Sequence, residues 1–304
     1  MKNLILYLIF ITINLNAQSN IALLSAPTND FVSANTNFTA AKSTAFELVG
    51  GMIFIEANVN GRVGNFILDT GAPGIILNDV PTKTSEELQA GGIAGNINIG
   101  QIKIDDFSWG NIKLSNCDGY VLDISHLEKS LDRTIAGLIG FDVLADFELL
   151  FDYDNKLIQI LDARDNELHR NNKPVKKIAF QKQGHLPVIQ AKIGRKNYHF
   201  GLDTGAEVNL LDKAVFEQLP GDLIQEITAE AIQGLGDQEQ IVQAAIIEHT
   251  QVATIDFPKM KFLAIDFSAI NKNQDISIDG LLGFDFLQQS KVSINYKKQK
   301  IYIW

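Results

Sequence analysis

Two aspartates in this chain stand in matching company. Asp69-Thr70-Gly71-Ala72 and Asp203-Thr204-Gly205-Ala206 each follow a leucine and an apolar lead-in, and they lie 134 positions apart. An aspartate that ends a buried strand and precedes Thr-Gly sits in a tight turn. Gly71 and Gly205 permit backbone conformations and close approaches that a side chain would block. The Thr70 and Thr204 hydroxyls are suited to hydrogen-bonding the backbone of the other copy. If the two copies pack as twofold mates, the turns meet at the axis and the carboxyls lie side by side. Two carboxylates about 3 Å apart cannot both ionise readily, so they hold one proton between them and titrate as a pair. The ionised member can take a proton from water, and the protonated member can donate to a carbonyl oxygen. General base and general acid at one point suit amide hydrolysis with no cofactor, no metal and no covalent intermediate.

Such turns need a scaffold that repeats, and the chain repeats itself. Ile135-Ala136-Gly137-Leu138-Ile139-Gly140-Phe141-Asp142-Val143-Leu144 matches Ile278-Asp279-Gly280-Leu281-Leu282-Gly283-Phe284-Asp285-Phe286-Leu287, 143 positions on. Leu122-Asp123-Ile124-Ser125 and Ile265-Asp266-Phe267-Ser268 recur at the same spacing. Three landmarks in one order, with nine extra residues in the second copy, indicate duplication. Each copy reads as β-rich. Met52 to Val59 is predicted as a strand, Asn60-Gly61 as a hairpin turn, and Val63 to Leu68 as the return strand that delivers Asp69. Leu186 to Ile193, Gly194-Arg195-Lys196 and Tyr198 to Leu202 do the same for Asp203. Each copy closes on a short helix and a final hairpin, Leu149 to Leu161 and Val292 to Trp304. Lobe one is expected over 45–161 and lobe two over 175–304, joined by a charged linker at 162–174 that contains Asn171-Asn172-Lys173-Pro174.

The sequence resembles the retropepsin-like aspartic proteases of the pepsin/retropepsin clan, in particular the bacterial secreted type. The resemblance covers about residues 45–304 and rests on the two Asp-Thr-Gly-Ala motifs with Gly137-Leu138-Ile139-Gly140 and Gly280-Leu281-Leu282-Gly283. It implies an all-β, bilobal acid-protease fold, with two duplicated retropepsin-like β-barrel lobes and short helices. It implies an aspartic endopeptidase acting on peptide or protein substrates through Asp69 and Asp203. Thr70, Gly71, Ala72, Thr204, Gly205 and Ala206 would support the active-site turns. Hairpin flaps over the substrate would lie near Gly91, Gly92 and Gly95 and near Gly234 and Gly236, where glycine suits a moving lid. Neither tip carries the tyrosine of pepsin-type enzymes. Ala72 and Ala206 stand where those enzymes have a hydroxyl residue, which removes stabilisation of the ionised carboxylate and predicts a less acidic optimum. The alternative is a non-catalytic peptide-binding module of the same fold. Having both lobes in one chain is consistent with a monomer.

The remaining sequence narrows the field. The chain has 304 residues and a formal net charge of -10, and an acidic surface repels phosphate backbones, so nucleic acid is not an expected partner. One cysteine, Cys117, forms no intrachain disulfide and is read as a small buried apolar residue. His126, His169, His185, His199 and His249 show no metal-ligand spacing and are read as surface or packing residues; no metal site is expected. Asp142 and Asp285 are read as helix caps, Asp123 and Asp266 as structural turn residues, Trp109 and Trp304 as core or interface, and Lys297, Lys298 and Lys300 as a solvated turn. Lys2, the apolar run from Leu4 to Ile13, and Ala17 form a signal-peptide pattern over 1–17. The run is short for a membrane span, so secretion or a periplasmic location is expected, with no stable span after cleavage. Residues 18–44 read as a flexible leader rich in Asn, Ser, Thr and Ala.

Overall fold

A computed structural model describes residues 5–7, 11–13, 42–79, 86–92, 95–233, 239–272, 274 and 276–304. In each half a hairpin carries the chain to its Asp-Thr-Gly turn. Met52–Val59 pairs with Arg62–Leu68, and both turn residues, Asn60 and Gly61, have positive φ, the requirement of the type I′ turn that matches strand twist. Leu186–Ile193 pairs with Lys196–Leu202 across Gly194-Arg195, where Gly194 but not Arg195 has positive φ. The returning strands are exposed at their starts and then buried at three successive residues, Phe66-Ile67-Leu68 and Phe200-Gly201-Leu202. Burial of consecutive residues means that both faces of the strand end are covered, so each aspartate enters the interior.

Each half closes into a six-stranded barrel. In lobe one the ring runs through Met52–Val59, Arg62–Leu68, Gly137–Ile139, Ile75–Asn78, Ile112–Leu122 and Gly95–Trp109, which pairs back to the first strand. In lobe two it runs through Leu186–Ile193, Lys196–Leu202, Gly280–Leu282, Asn209–Asp212, Ile255–Ile265 and Glu239–Val252. The helices are short, the longest among the described residues being Ser125–Leu131. Both Asp-containing repeats named as structural form turns of their own, Asp123 Oδ1 accepting from Ser125 N–H and Asp266 Oδ1 from Ser268 N–H. Trp109 is fully buried, and Cys117 is half-buried against the same core.

A third sheet joins the lobes. Its strands lie in the order Lys176–Ala179, Lys300–Ile303, Val292–Asn295, Phe147–Asp152, Leu157–Asp162 and Lys42–Ala45. The central pairing crosses the lobe boundary, Glu148 to Phe151 running antiparallel to Asn295 to Val292. Packed on this sheet are two matching aromatic clusters. Tyr153 meets Phe46 of its own lobe at 5.8 Å and Phe284 of the other at 5.7 Å. Tyr296 meets Phe180 of its own lobe at 5.8 Å and Phe141 of the other at 5.0 Å. One apolar cluster therefore runs unbroken from lobe one through the joining sheet into lobe two.

Glu148, wholly buried in that sheet, has its carboxylate satisfied from two parts of the chain. Ser293 Oγ donates to it at 2.7 Å and Asn295 Nδ2 at 2.8 Å from lobe two, and His169 Nε2 (2.8 Å) and Asn166 Nδ2 (3.3 Å) reach it from the connection. The connection, expected from composition to be a linker, contains the helix Glu167–Asn171 capped by Asn166. Trp304 packs on His169 and donates to Ser293.

Two hairpins rise beside the barrels, Glu86–Gly92 with Gly95–Trp109 and Ile224–Gln233 with Glu239–Val252. Gly91, Gly92 and Gly95 flank the tip of the first, whereas Gly234 and Gly236 lie outside the described residues. Of the first 17 residues, Ile5–Tyr7 and Ile11–Ile13 are short strands lying along the edges of these hairpins. Among the described residues no helix is long and apolar enough to cross a membrane.

Candidate active site

The two Asp-Thr-Gly turns meet at the lobe boundary and interlock through their threonines. Thr70 Oγ1 donates to the Leu202 carbonyl at 3.0 Å and accepts from Thr204 N–H at 2.9 Å. Thr204 Oγ1 donates to the Leu68 carbonyl at 2.8 Å and accepts from Thr70 N–H at 3.0 Å. Each hydroxyl thus uses its hydrogen and a lone pair on the opposite strand end, as the sequence leads one to expect. All four bonds are buried, where an unmade bond would cost about 1–3 kcal/mol.

Beneath each turn lies the matching Gly motif. Asp69 N–H donates to the Ile139 carbonyl at 2.9 Å and Asp203 N–H to the Leu282 carbonyl at 3.0 Å. The Ala72 and Ala206 carbonyls accept from Phe141 and Phe284 N–H, both at 2.9 Å. A methyl group on Gly140 would fall 2.2 Å from the Ala72 carbonyl oxygen, and one on Gly283 would fall 2.5 Å from that of Ala206. The second glycine of each motif is thus what lets the chain pass under its turn. Ala72 and Ala206 are themselves buried, each in an apolar cluster of its own lobe.

Asp69 and Asp203 are both fully buried and face one another. The Oδ1 of each accepts from the glycine amide two residues on, Gly71 at 2.7 Å and Gly205 at 2.8 Å. Their Oδ2 atoms are buried and make no hydrogen bond among the described residues. The approach is close: a methyl group on Gly71 would lie 2.8 Å from Asp203 Oδ2, and one on Gly205 would lie 2.6 Å from Asp69 Oδ1. Burial raises both carboxyls well above the ordinary carboxylate range, and for Asp69 the facing Asp203 raises it further. Both therefore bind a proton more readily than a solvated carboxyl, and the second ionisation of the pair is the harder one. The Tyr296 hydroxyl is also buried nearby, and its pKa is raised by burial and then by Asp203 and Asp69.

Two readings of lesser residues change. Asp142 and Asp285 do not cap their helices. The caps are the glycines Gly140 and Gly283, and the aspartates fall in the first turn. A recurrent Asp at a helix start resembles a cap, but the tight passage under the Asp-Thr-Gly turn reserves that position for glycine. The histidines are not all bystanders either. His185 Nε2 lies 2.6 Å from the Gly71 carbonyl oxygen, and His169 joins the Glu148 network. Aligning the two repeats could have drawn attention to His185, because its counterpart in lobe one is Gly51. Among the described residues no group of three or more His, Cys, Asp or Glu is placed to hold a metal ion.

The family model described as aspartyl protease matches residues 55–143 and 189–286, once in each lobe and over more than half of the chain. No curated protein matches it.

Proposed function

The chain belongs to the aspartyl protease family, and on that premise we propose that it is an endopeptidase in which Asp69 and Asp203 activate one water for peptide hydrolysis. The observation that carries the reading is the meeting of two buried carboxyls whose Oδ2 atoms make no hydrogen bond among the described residues. A water between these oxygens gives a proton to the ionised member as its oxygen attacks the peptide carbonyl carbon. The carbonyl oxygen takes the proton held by the other member, and a tetrahedral diol results. In the second step the diol returns a proton to the pair, the amide nitrogen receives one, and the C–N bond breaks. Acid and amine leave, and the pair is restored with one proton. Thr70 and Thr204 hold the turns at fixed separation, which is the positioning on which such a reaction depends. The substrate is a peptide or protein segment lying in the cleft under the two hairpins.

The test is turnover of a peptide library by wild type, Asp69→Asn and Asp203→Asn. Wild type should cleave, with either asparagine variant lowering kcat about 10³-fold or more, because each removes the shared proton chemistry. The maximum should lie above about pH 3.5, since the pair titrates above the ordinary range and Ala72 and Ala206 supply no hydroxyl. Wild type as inert as Asp69→Asn across roughly pH 3–8, yet binding peptide, would make the protein a binding module. We also propose export, supported by Lys2, the apolar Leu4 to Ile13 run and Ala17. N-terminal sequencing of protein from the native host should begin at Gln18, and an intact Met1 would refute it.

A further inference from the structure

The two lobes differ at one point that touches the aspartate pair. His185 precedes the first barrel strand of lobe two, Leu186–Ile193, as Gly51 precedes Met52–Val59 in lobe one. Its ring crosses the lobe boundary to the Gly71 carbonyl, with Nε2 2.6 Å from the oxygen. A carbonyl oxygen only accepts, so Nε2 carries the hydrogen and donates. Gly51 has no side chain with which to return the contact to Gly205.

The carbonyl that His185 holds belongs to the Gly71–Ala72 peptide. The amide at the other end of this peptide faces back toward Asp69: Ala72 N–H lies 3.1 Å from the Asp69 carbonyl oxygen and also bears on the Asp69 carboxyl. In lobe two the corresponding Ala206 N–H lies 3.5 Å from the Asp203 carbonyl oxygen. The turn that has a histidine on its carbonyl is the more tightly closed one. A donor on the oxygen of a peptide also polarises its N–H, so the bond strengthens what that N–H gives to Asp69.

Resting on the aspartic protease reading, we propose that His185 is a positioning residue for the reaction. From lobe two it fixes the Gly71–Ala72 peptide of lobe one, and with it the orientation of the Asp69 carboxyl toward Asp203. It acts through the turn, by way of the Gly71 carbonyl. A fixed peptide matters here because small displacements of a reacting pair cost rate much more than binding.

The experiment compares wild type, His185→Ala and His185→Gln, with Asp69→Asn as the control on the parent reading. The Gln amide nitrogen can donate to Gly71 where the ring did. His185→Ala should lower kcat about tenfold with KM within about twofold, and His185→Gln should recover most of kcat. Equal kcat in wild type and His185→Ala, or a Gln variant no better than Ala, would overturn the proposal. The second readout needs no turnover: carboxyl NMR of ¹³C-labelled aspartate across pH. Loss of the donor should raise the first apparent pKa of the pair in His185→Ala, with return toward wild type in His185→Gln. An unmoved titration would overturn the assignment even if turnover fell through partial unfolding. If Asp69→Asn cleaves as well as wild type, the parent reading fails by itself, and the titration still decides for or against His185.

Discussion

Lobe one and lobe two agree where the aspartates are built and part company on the walls around them. The threonine bonds, the glycine amides on Oδ1, the Gly motif under each turn and the Tyr–Phe clusters across the boundary all come in matched pairs. The residue before the first barrel strand does not match, being Gly51 in one lobe and His185 in the other. Nor does the residue after the turn alanine, Pro73 against Glu207. Beside the recurrent aspartate of the short helix, lobe one places Asp118 and lobe two places the ion pair of Lys261 and Glu230. Symmetry is thus kept where two buried carboxyls face one another, because a change on one side alone would displace one acid relative to the other. Away from the facing carboxyls, each lobe has followed its own course.

The largest expected effect tests the matched part. Gly71→Ala and Gly205→Ala each place a methyl group within 3 Å of the opposite carboxyl. Both should lower kcat about 10³-fold and to a similar degree, because displaced carboxyls lose both positioning and shared protonation. A Gly205→Ala enzyme with full activity would show that the turns do not meet as closely as described.

Next come the threonines. Thr70→Val and Thr204→Val each remove one donation and one acceptance on the opposite strand end. Each should cost about 2–4 kcal/mol in urea unfolding, with the double variant less than additive because all four bonds form one network. Unequal costs in the two lobes would break the symmetry claimed here.

The smallest effect sharpens the unmatched part. Burial, and then the Asp118 charge, push Asp142 up to about 6. Asp285 is raised by burial, but Lys261 opposes the shift. A carboxyl raised on folding binds more protons folded than unfolded between its two pKa values. Stability therefore falls as pH rises through about 4 to 6 and stays reduced above that. Asp142→Asn should stabilise by about 1–2 kcal/mol at pH 7 and by nothing near pH 3.5. Asp285→Asn should stabilise by less at pH 7. An equal gain from both would remove Lys261 from the account.

Much of this was legible in the residues because duplication writes a structural element twice. The offset of 134 located both turns, and hairpin signals such as Asn60-Gly61 located the strands that deliver them. The threonine exchange followed from residue type and symmetry alone. The joining sheet was not legible as a sheet. Its central pair, Phe147–Asp152 with Val292–Asn295, links segments about 145 residues apart, and local patterning shows only two hairpins. Buried Glu148 was hidden for the same reason, since its donors come from 18 to 147 positions away. His185 is not legible in the same way, because a lone ring on a carbonyl has no spacing to find. Asp142 and Asp285 carry the local signature of caps, but at these helix starts a packing constraint governs and glycine holds the cap position.

Main-chain pairing between Phe147–Asp152 and Val292–Asn295 also bears on how the two halves can diverge. The separation of the acids is gauged by a ladder of amides and carbonyls, which every residue except proline supplies alike. Mutation can therefore change the side chains of one half, or add nine residues to it as the second half has done, while the gap between the two aspartates stays the same. A chain carrying both halves can in this way present two different sides to an unsymmetrical peptide, an option closed to an assembly of two identical subunits.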